Sequence, residues 1–341
     1  MTIVPGGATR VTDQSGYRDL VTRTRDMIEI SDASVTGVVS ASLTRRDLLR
    51  TGALGVSTLA LGPLLAACGG SSTTSSGSGA SGGQASATLA PGTNLVQRWV
   101  SDQLTPGFVR LPISIADQSG MLPDGPEVLT GRIIRYLDNA VVAENLSAER
   151  LSLGEGTPAF WVFTASIDAQ DVYALVVDGG PADGASLQIR DPEFLTVPRV
   201  GQNLPPLETP TVDDARGVEI ICTRVPEPCP FHQVTLSQAL AEASSTGSKV
   251  VFLVGTPAHC QTGVCAPILD KLIDMQSQFP DVRFVHVDVY ADEAATKVAP
   301  AVQALTLTFE PVLWITDSTG VITHRFEGVW HPSEIAQALS S

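Results

Sequence analysis

The stretch KVVFLVGTPAHCQTGVCAPILD, Lys249 to Asp270, decides how this chain is read. Its first part, Val250 to Val254, is an unbroken apolar run of strand length, and Gly255 and Pro257 end it in a turn. From Pro267 to Phe279 the apolar residues Ile268, Leu269, Leu272 and Ile273 recur at helical spacing. Cys260 and Cys265 stand where strand gives way to helix. Free amide groups and the positive end of the helix dipole at such a junction favour thiolate over thiol, which makes these two cysteines the candidate reactive residues. Positions i and i+5 of a helix lie about 140° apart, so the two sulfurs cannot face each other from within one helix. Cys260 is therefore expected in the loop, with Thr262 or Ala266 at the helix cap.

Downstream, Val282 to Val289 (VRFVHVDV) reads as a second strand and Ala294 to Ala304 as a helical stretch. Pro311 to Ile315 and Val321 to Phe326 read as strands joined by a tight turn at Asp317 to Gly320. Pro332 to Leu339 closes the chain as a helix begun by proline. Upstream, Leu236 to Ala243 is a short helix with Thr235 as its N-cap. Strand, helix, strand, helix, hairpin, helix predicts an α/β domain with a mixed sheet over residues 217–341.

Residues 94–200 carry a different pattern. Short runs such as Phe108 to Ile115, Glu127 to Ile134, Ala159 to Ser166 and Asp171 to Val177 are separated by Gly, Pro and Asp turns. This predicts an antiparallel β-sandwich of immunoglobulin-like type, with Trp161 and Phe163 on one strand face as core. The region has no cysteine and no histidine, so a spacer or partner-binding role is expected of it. Residues 201–216, with Pro205, Pro206 and Pro210, read as an extended linker.

The N-terminal part reads as an address. Thr44-Arg45-Arg46-Asp47-Leu48-Leu49-Arg50 precedes an apolar run that ends in Leu65-Ala66-Ala67-Cys68. The order resembles a twin-arginine export signal built on Arg45 and Arg46, followed by a lipobox whose Cys68 is acylated. Residues 1–43 are a leader extension without a strong period, and residues 69–93 a Gly/Ser-rich flexible linker. The chain carries a net charge of −15, and Lys249, Lys271 and Lys297 are its only lysines. That charge argues against nucleic acid or an anionic lipid surface as a partner. The expected location is the extracytoplasmic face of the cell membrane, held through the lipid on Cys68.

With these elements in place, residues 217–341 resemble a thioredoxin-like domain. The features that carry the resemblance are the strand leading into the cysteine turn, Ala266-Pro267-Ile268-Leu269-Asp270 in the helix, and Glu310-Pro311 opening the next strand. Gly320 in the hairpin and Arg325-Phe326-Glu327-Gly328 before the last helix also fit. Together with the signal, the whole chain resembles a group of actinobacterial thioredoxin-like lipoproteins. The resemblance implies a thiol-disulfide oxidoreductase without a cofactor, acting on exported protein thiols and disulfides. Cys260 would attack, and Glu310 and a cis Pro311 would lie beside it to hold a substrate strand.

The sequence departs from that family in two ways. Four residues separate the cysteines where thioredoxins have two, and Val250 to Val254 offers no buried acid. A second alignment makes Cys265 the helix-terminal thiolate and Cys260 its resolver. Cys260–Cys265 also reads as a loop-closing staple, leaving a non-catalytic binding lipoprotein. His259 is a candidate for lowering the Cys260 pKa. In an oxidising compartment Cys222 and Cys229 read as a structural disulfide, or as a second redox pair relaying electrons. A Sco-type copper chaperone is the remaining alternative, with Cys260, Cys265 and one of His286, His324 or His331 as ligands. No other metal is expected.

Overall fold

The computed structural model describes residues 89–341. The leader, the export signal with Arg45 and Arg46, Cys68 and most of the Gly/Ser stretch lie outside the described residues. No helix among the described residues is long and apolar enough to cross a membrane.

The first module holds eight strands: β1 (Asn94–Gln97), β2 (Gly107–Asp117), β3 (Gly120–Met121), β4 (Val128–Arg135), β5 (Val141–Leu151), β6 (Phe160–Ile167), β7 (Val172–Val177) and β8 (Ala185–Gln188). They form one continuous sheet in the order β1-β2-β6-β5-β4-β7-β8, with β3 paired to β2. The immunoglobulin-like arrangement of two separate sheets does not form. The reason lies in β5, which pairs with β4 over most of its length and then passes Arg150 and Leu151 to β6. Irregular registers between β4 and β5 bend the sheet, and its end strands β1 and β8 come together around a core that includes Trp161 and Phe163. Gly131 is obligatory in this bend, since a Cβ there would stand 2.5 Å from the Val176 carbonyl oxygen.

The second module is a four-stranded mixed sheet in the order β10 (Arg283–Val287), β9 (Val250–Val254), β11 (Val312–Thr316), β12 (Ile322–Glu327). β9 is parallel to β10 and antiparallel to β11. All five residues of β9 are buried, because its alternate side chains feed two cores. Val251 and Leu253 pack with α2 (Cys265–Gln276) and α4 (Pro332–Ser340), while Val250, Phe252 and Val254 pack with α1 (Leu236–Thr246) and α3 (Pro300–Ala304). An unbroken apolar run is what a strand covered on both faces requires. Thr235 and Gln238 form a capping box that starts α1, worth about 1 kcal/mol. This strand and helix order is the mixed-sheet α/β layout that the succession of sequence elements predicted.

One expected helix is shorter than its sequence suggests. Residues 292–298 are not helical because the Asp292 carboxylate accepts the amides of Thr296 and Lys297, an alternative to helical bonding. Only Pro300–Ala304 is α-helical there.

The two modules are packed together. Arg110 of β2 makes a two-pronged ion pair with Glu334 at the start of α4, at 2.6 and 2.7 Å, and donates to the Val329 carbonyl at 2.8 Å. Leu153 and Phe160 of the first module are buried in the core between the second module's sheet and its helices α2 and α4. Gly328, with φ of +64°, lies so close to the Arg98 carbonyl that a Cβ would stand 2.5 Å from it. The Pro-rich segment is strapped along β12, where Gly201, Gln202 and Leu204 exchange backbone hydrogen bonds with Gly320 and Ile322.

Candidate functional site

Buried β9 ends at Val254, and the chain turns through residues 255–264 before α2 begins at Cys265. Neither Thr262 nor Ala266 caps the helix. Val264 is the N-cap residue and makes no side-chain cap bond. The sulfur of Cys260 takes that role, accepting the Cys265 amide at 3.3 Å, and Thr262 Oγ1 lies 3.3 Å from the same sulfur. A loop of four intervening residues thus lets a preceding cysteine reach back to the helix end.

The two sulfurs have unlike surroundings. Cys260 is half-buried and Cys265 is fully buried. The Cys265 thiol donates to Glu310 Oε2 at 2.7 Å, and the sulfurs and that carboxylate lie within 4.8 Å of one another. Hydrogen bonding from Cys265, with further bonds from Thr262 and the Cys265 amide, brings the Cys260 thiol down to about 5. The Cys260–Cys265 hydrogen bond, burial and the neighbouring carboxylate push Cys265 up. Burial raises the Glu310 carboxyl above the ordinary carboxylate range. Arg98, just after β1, is near enough for its charge and that of Cys260 to interact.

Glu310 is the carboxylate beside Cys265. It enters from the start of β11, where the Glu310–Pro311 peptide is cis, and its other contact is the Thr256 amide at 3.4 Å. Pro311 closes over Gly255, where an added methyl would stand 3.3 Å from Pro311 Cβ and 3.6 Å from Cys265 Sγ. Sequence reasoning placed Glu310 with the substrate strand. Its bond to a cysteine 45 positions away has no local signature.

His259 packs edge-on against Tyr290, with ring centroids 5.7 Å apart. No histidine joins Cys260, Cys265 and Glu310 at ligand distance among the described residues. His324 stacks on Phe326, and His331 caps α4 by accepting the Ser333 amide.

His286 faces the other cysteine pair. Cys222, Cys229, His232 and His286 are all buried, with one donor atom of each within 4.8 Å of the other three. His232 was not singled out by sequence, although the spacing Cys-x6-Cys-x2-His contains it.

No protein-family model matches the chain, and no curated protein matches it. Among solved structures, it is similar to a yeast mitochondrial 1-Cys peroxiredoxin studied for its thiol resolving mechanism. The match has 16% identity and a TM-score of 0.23, over 30% of this chain and 87% of the other. It is also similar to a DsbH oxidoreductase at 15% identity and a TM-score of 0.21, over 41% of this chain and 94% of that one.

Proposed function

We propose that the protein is a thiol-disulfide oxidoreductase working through Cys260 and Cys265, with Glu310 as the group that takes and returns the proton of Cys265. The observation that carries this reading is the asymmetric trio: a half-buried sulfur that accepts the amide at a helix N-terminus, a buried thiol beside it, and a carboxylate 2.7 Å away that accepts that thiol's hydrogen.

In the reducing direction the Cys260 thiolate attacks one sulfur of a partner disulfide. A mixed disulfide forms and the partner's other sulfur leaves as thiolate. Glu310 then accepts the proton of Cys265, whose thiolate attacks Cys260 Sγ. The partner's second sulfur departs, and the Cys260–Cys265 disulfide remains. The oxidising direction is the same sequence reversed. Pro311 and the exposed side of Cys260 are where an extended partner segment would lie.

The export signal and Cys68 support an extracytoplasmic, lipid-anchored place for this chemistry. Replacing both Arg45 and Arg46 by Lys is expected to retain the precursor inside the cell, and export unaffected by that change would remove the twin-arginine assignment. The exchange reading is tested by redox titration of the full-length protein, with mass spectrometry of trapped thiols. A reversible Cys260–Cys265 transition above about −270 mV supports it, whereas a pair still oxidised below about −300 mV is a structural staple.

A further inference from the structure

We propose that Cys222, Cys229, His232 and His286 form a closed, tetrahedral zinc site that holds the loop of residues 217–235 against the mixed sheet. The site is separate from Cys260, Cys265 and Glu310, and the proposal does not depend on their chemistry.

The distances fit a zinc tetrahedron. Bond lengths of about 2.3 Å to sulfur and 2.0–2.1 Å to nitrogen imply edges of about 3.4 Å between nitrogens and about 3.5 Å from sulfur to nitrogen. In the structure His286 Nδ1 lies 3.2 Å from His232 Nε2, 3.4 Å from Cys229 Sγ and 3.8 Å from Cys222 Sγ. All four residues are at most 4% exposed.

The hydrogen bonds behind the cluster point the same way. His286 Nε2 is 3.0 Å from the Gly255 carbonyl, and His232 Nδ1 is 3.4 Å from the Pro210 carbonyl. Each carbonyl accepts only from an N–H, so both outer nitrogens carry a proton, and while both rings are neutral both inner nitrogens present lone pairs. Two buried lone pairs 3.2 Å apart repel unless something between them is shared. A Cys222–Cys229 disulfide would leave that repulsion in place. A dication among two thiolates and two neutral imidazoles removes it and balances the charge. Two sulfurs and two nitrogens in a tetrahedron suit zinc, and four protein ligands leave no open position, which marks the site as structural.

The loop also needs such a tie. Residues 217–235 contain no helix or strand, an uncommon length of irregular chain inside a compact domain. Three ligands come from this loop and the fourth from β10. Thr223 Oγ1 in the same loop accepts the Ala258 amide and donates to Asp288 Oδ2, so the tied loop supports the turn that carries Cys260.

The test is metal analysis of the full-length protein purified reduced and without chelator. One zinc per chain is expected, with Cys222 and Cys229 shielded from iodoacetamide until a chelator is added. Zinc should persist in the Cys260→Ser/Cys265→Ser variant and be lost in His286→Ala. As a check that needs no variant, cobalt(II) added to chelator-treated wild type should give the intense visible bands of a tetrahedral site with thiolate charge transfer in the near ultraviolet. A peptide map showing a Cys222–Cys229 disulfide, absence of both zinc and cobalt bands, or metal lost with Cys260 and Cys265 would overturn the proposal. Copper in place of zinc would overturn the choice of metal.

Discussion

Two pairs of cysteines sit on either side of one peptide, and they differ in what surrounds them. Cys260 and Cys265 have a carboxylate for a neighbour and an open side; Cys222 and Cys229 have two imidazoles and none. Gly255 joins the two settings. Its carbonyl faces His286 while its α-carbon lies under Pro311 and near Cys265. The lesson is that the sulfur is common to both sites and the third group decides the chemistry. One pair has a carboxylate that accepts a thiol's hydrogen, the other has two imidazoles whose inner nitrogens are 3.2 Å apart. Exposure separates the pairs as well: Cys260 is half-buried, whereas Cys222 and Cys229 are both buried.

The largest effect that tests this contrast is on exchange itself. Cys260→Ser should reduce disulfide exchange to the uncatalysed background, while Cys265→Ser should leave attack intact and accumulate a mixed disulfide on Cys260, seen as an added mass on that peptide. Equal trapping at Cys222 or Cys229 would erase the distinction between the pairs. Next, Glu310→Gln should slow resolution of the mixed disulfide by about 100-fold, the lower range of general-base effects. The sign with pH follows from the raised carboxyl. The wild-type resolution rate should climb as pH passes through Glu310's elevated range and then level, because the base must be ionised. In the Gln variant the rise should move to the alkaline region where Cys265 ionises unaided.

A smaller effect concerns the Cys260 thiol. Its alkylation rate should show a midpoint near pH 5, and Cys265→Ala should move that midpoint up toward the ordinary cysteine value of about 8.5, since the lost hydrogen bond is the chief cause of the shift. Because the folded thiol is depressed relative to the unfolded one, the reduced protein should gain stability as pH rises from about 5 toward the unfolded thiol range, with a shallower slope in Cys260→Ala, where the lowered Cys222 thiol still contributes. The smallest expected change is in Arg98→Ala, which removes a nearby positive charge and should raise the midpoint by under about one unit. It should leave the shielding of Cys222 and Cys229 untouched.

What the sequence made legible follows from locality. β9 was readable because both of its faces are buried, so every residue is apolar, and the boundaries Val250 to Val254 coincide with those of the folded strand. Thr235 was readable as a cap because its partner Gln238 is three residues away. β5 left no such trace: VVAENLSAERL lies largely exposed, with polar side chains on both faces, and it is the strand that turns the expected sandwich into one curled sheet. Ala294 and Ala295 suggested a helix that the Asp292 carboxylate prevents. The partners of the sulfurs were out of reach for a further reason. Glu310 and His286 arrive from strands far along the chain, and only the folded sheet sets them beside Cys265 and Cys229.

The burial of Leu153 and Phe160 in the second module's core bears on how this chain can be taken apart. Severing it at the Pro-rich segment would strip two large apolar side chains from that core, each loss costing about 2–5 kcal/mol by analogy with truncation to alanine. The freed half would show a greasy wound to solvent and clump. Trimming for crystallography, fusion or display should therefore leave residues 89–341 whole, since neither module is an exchangeable part.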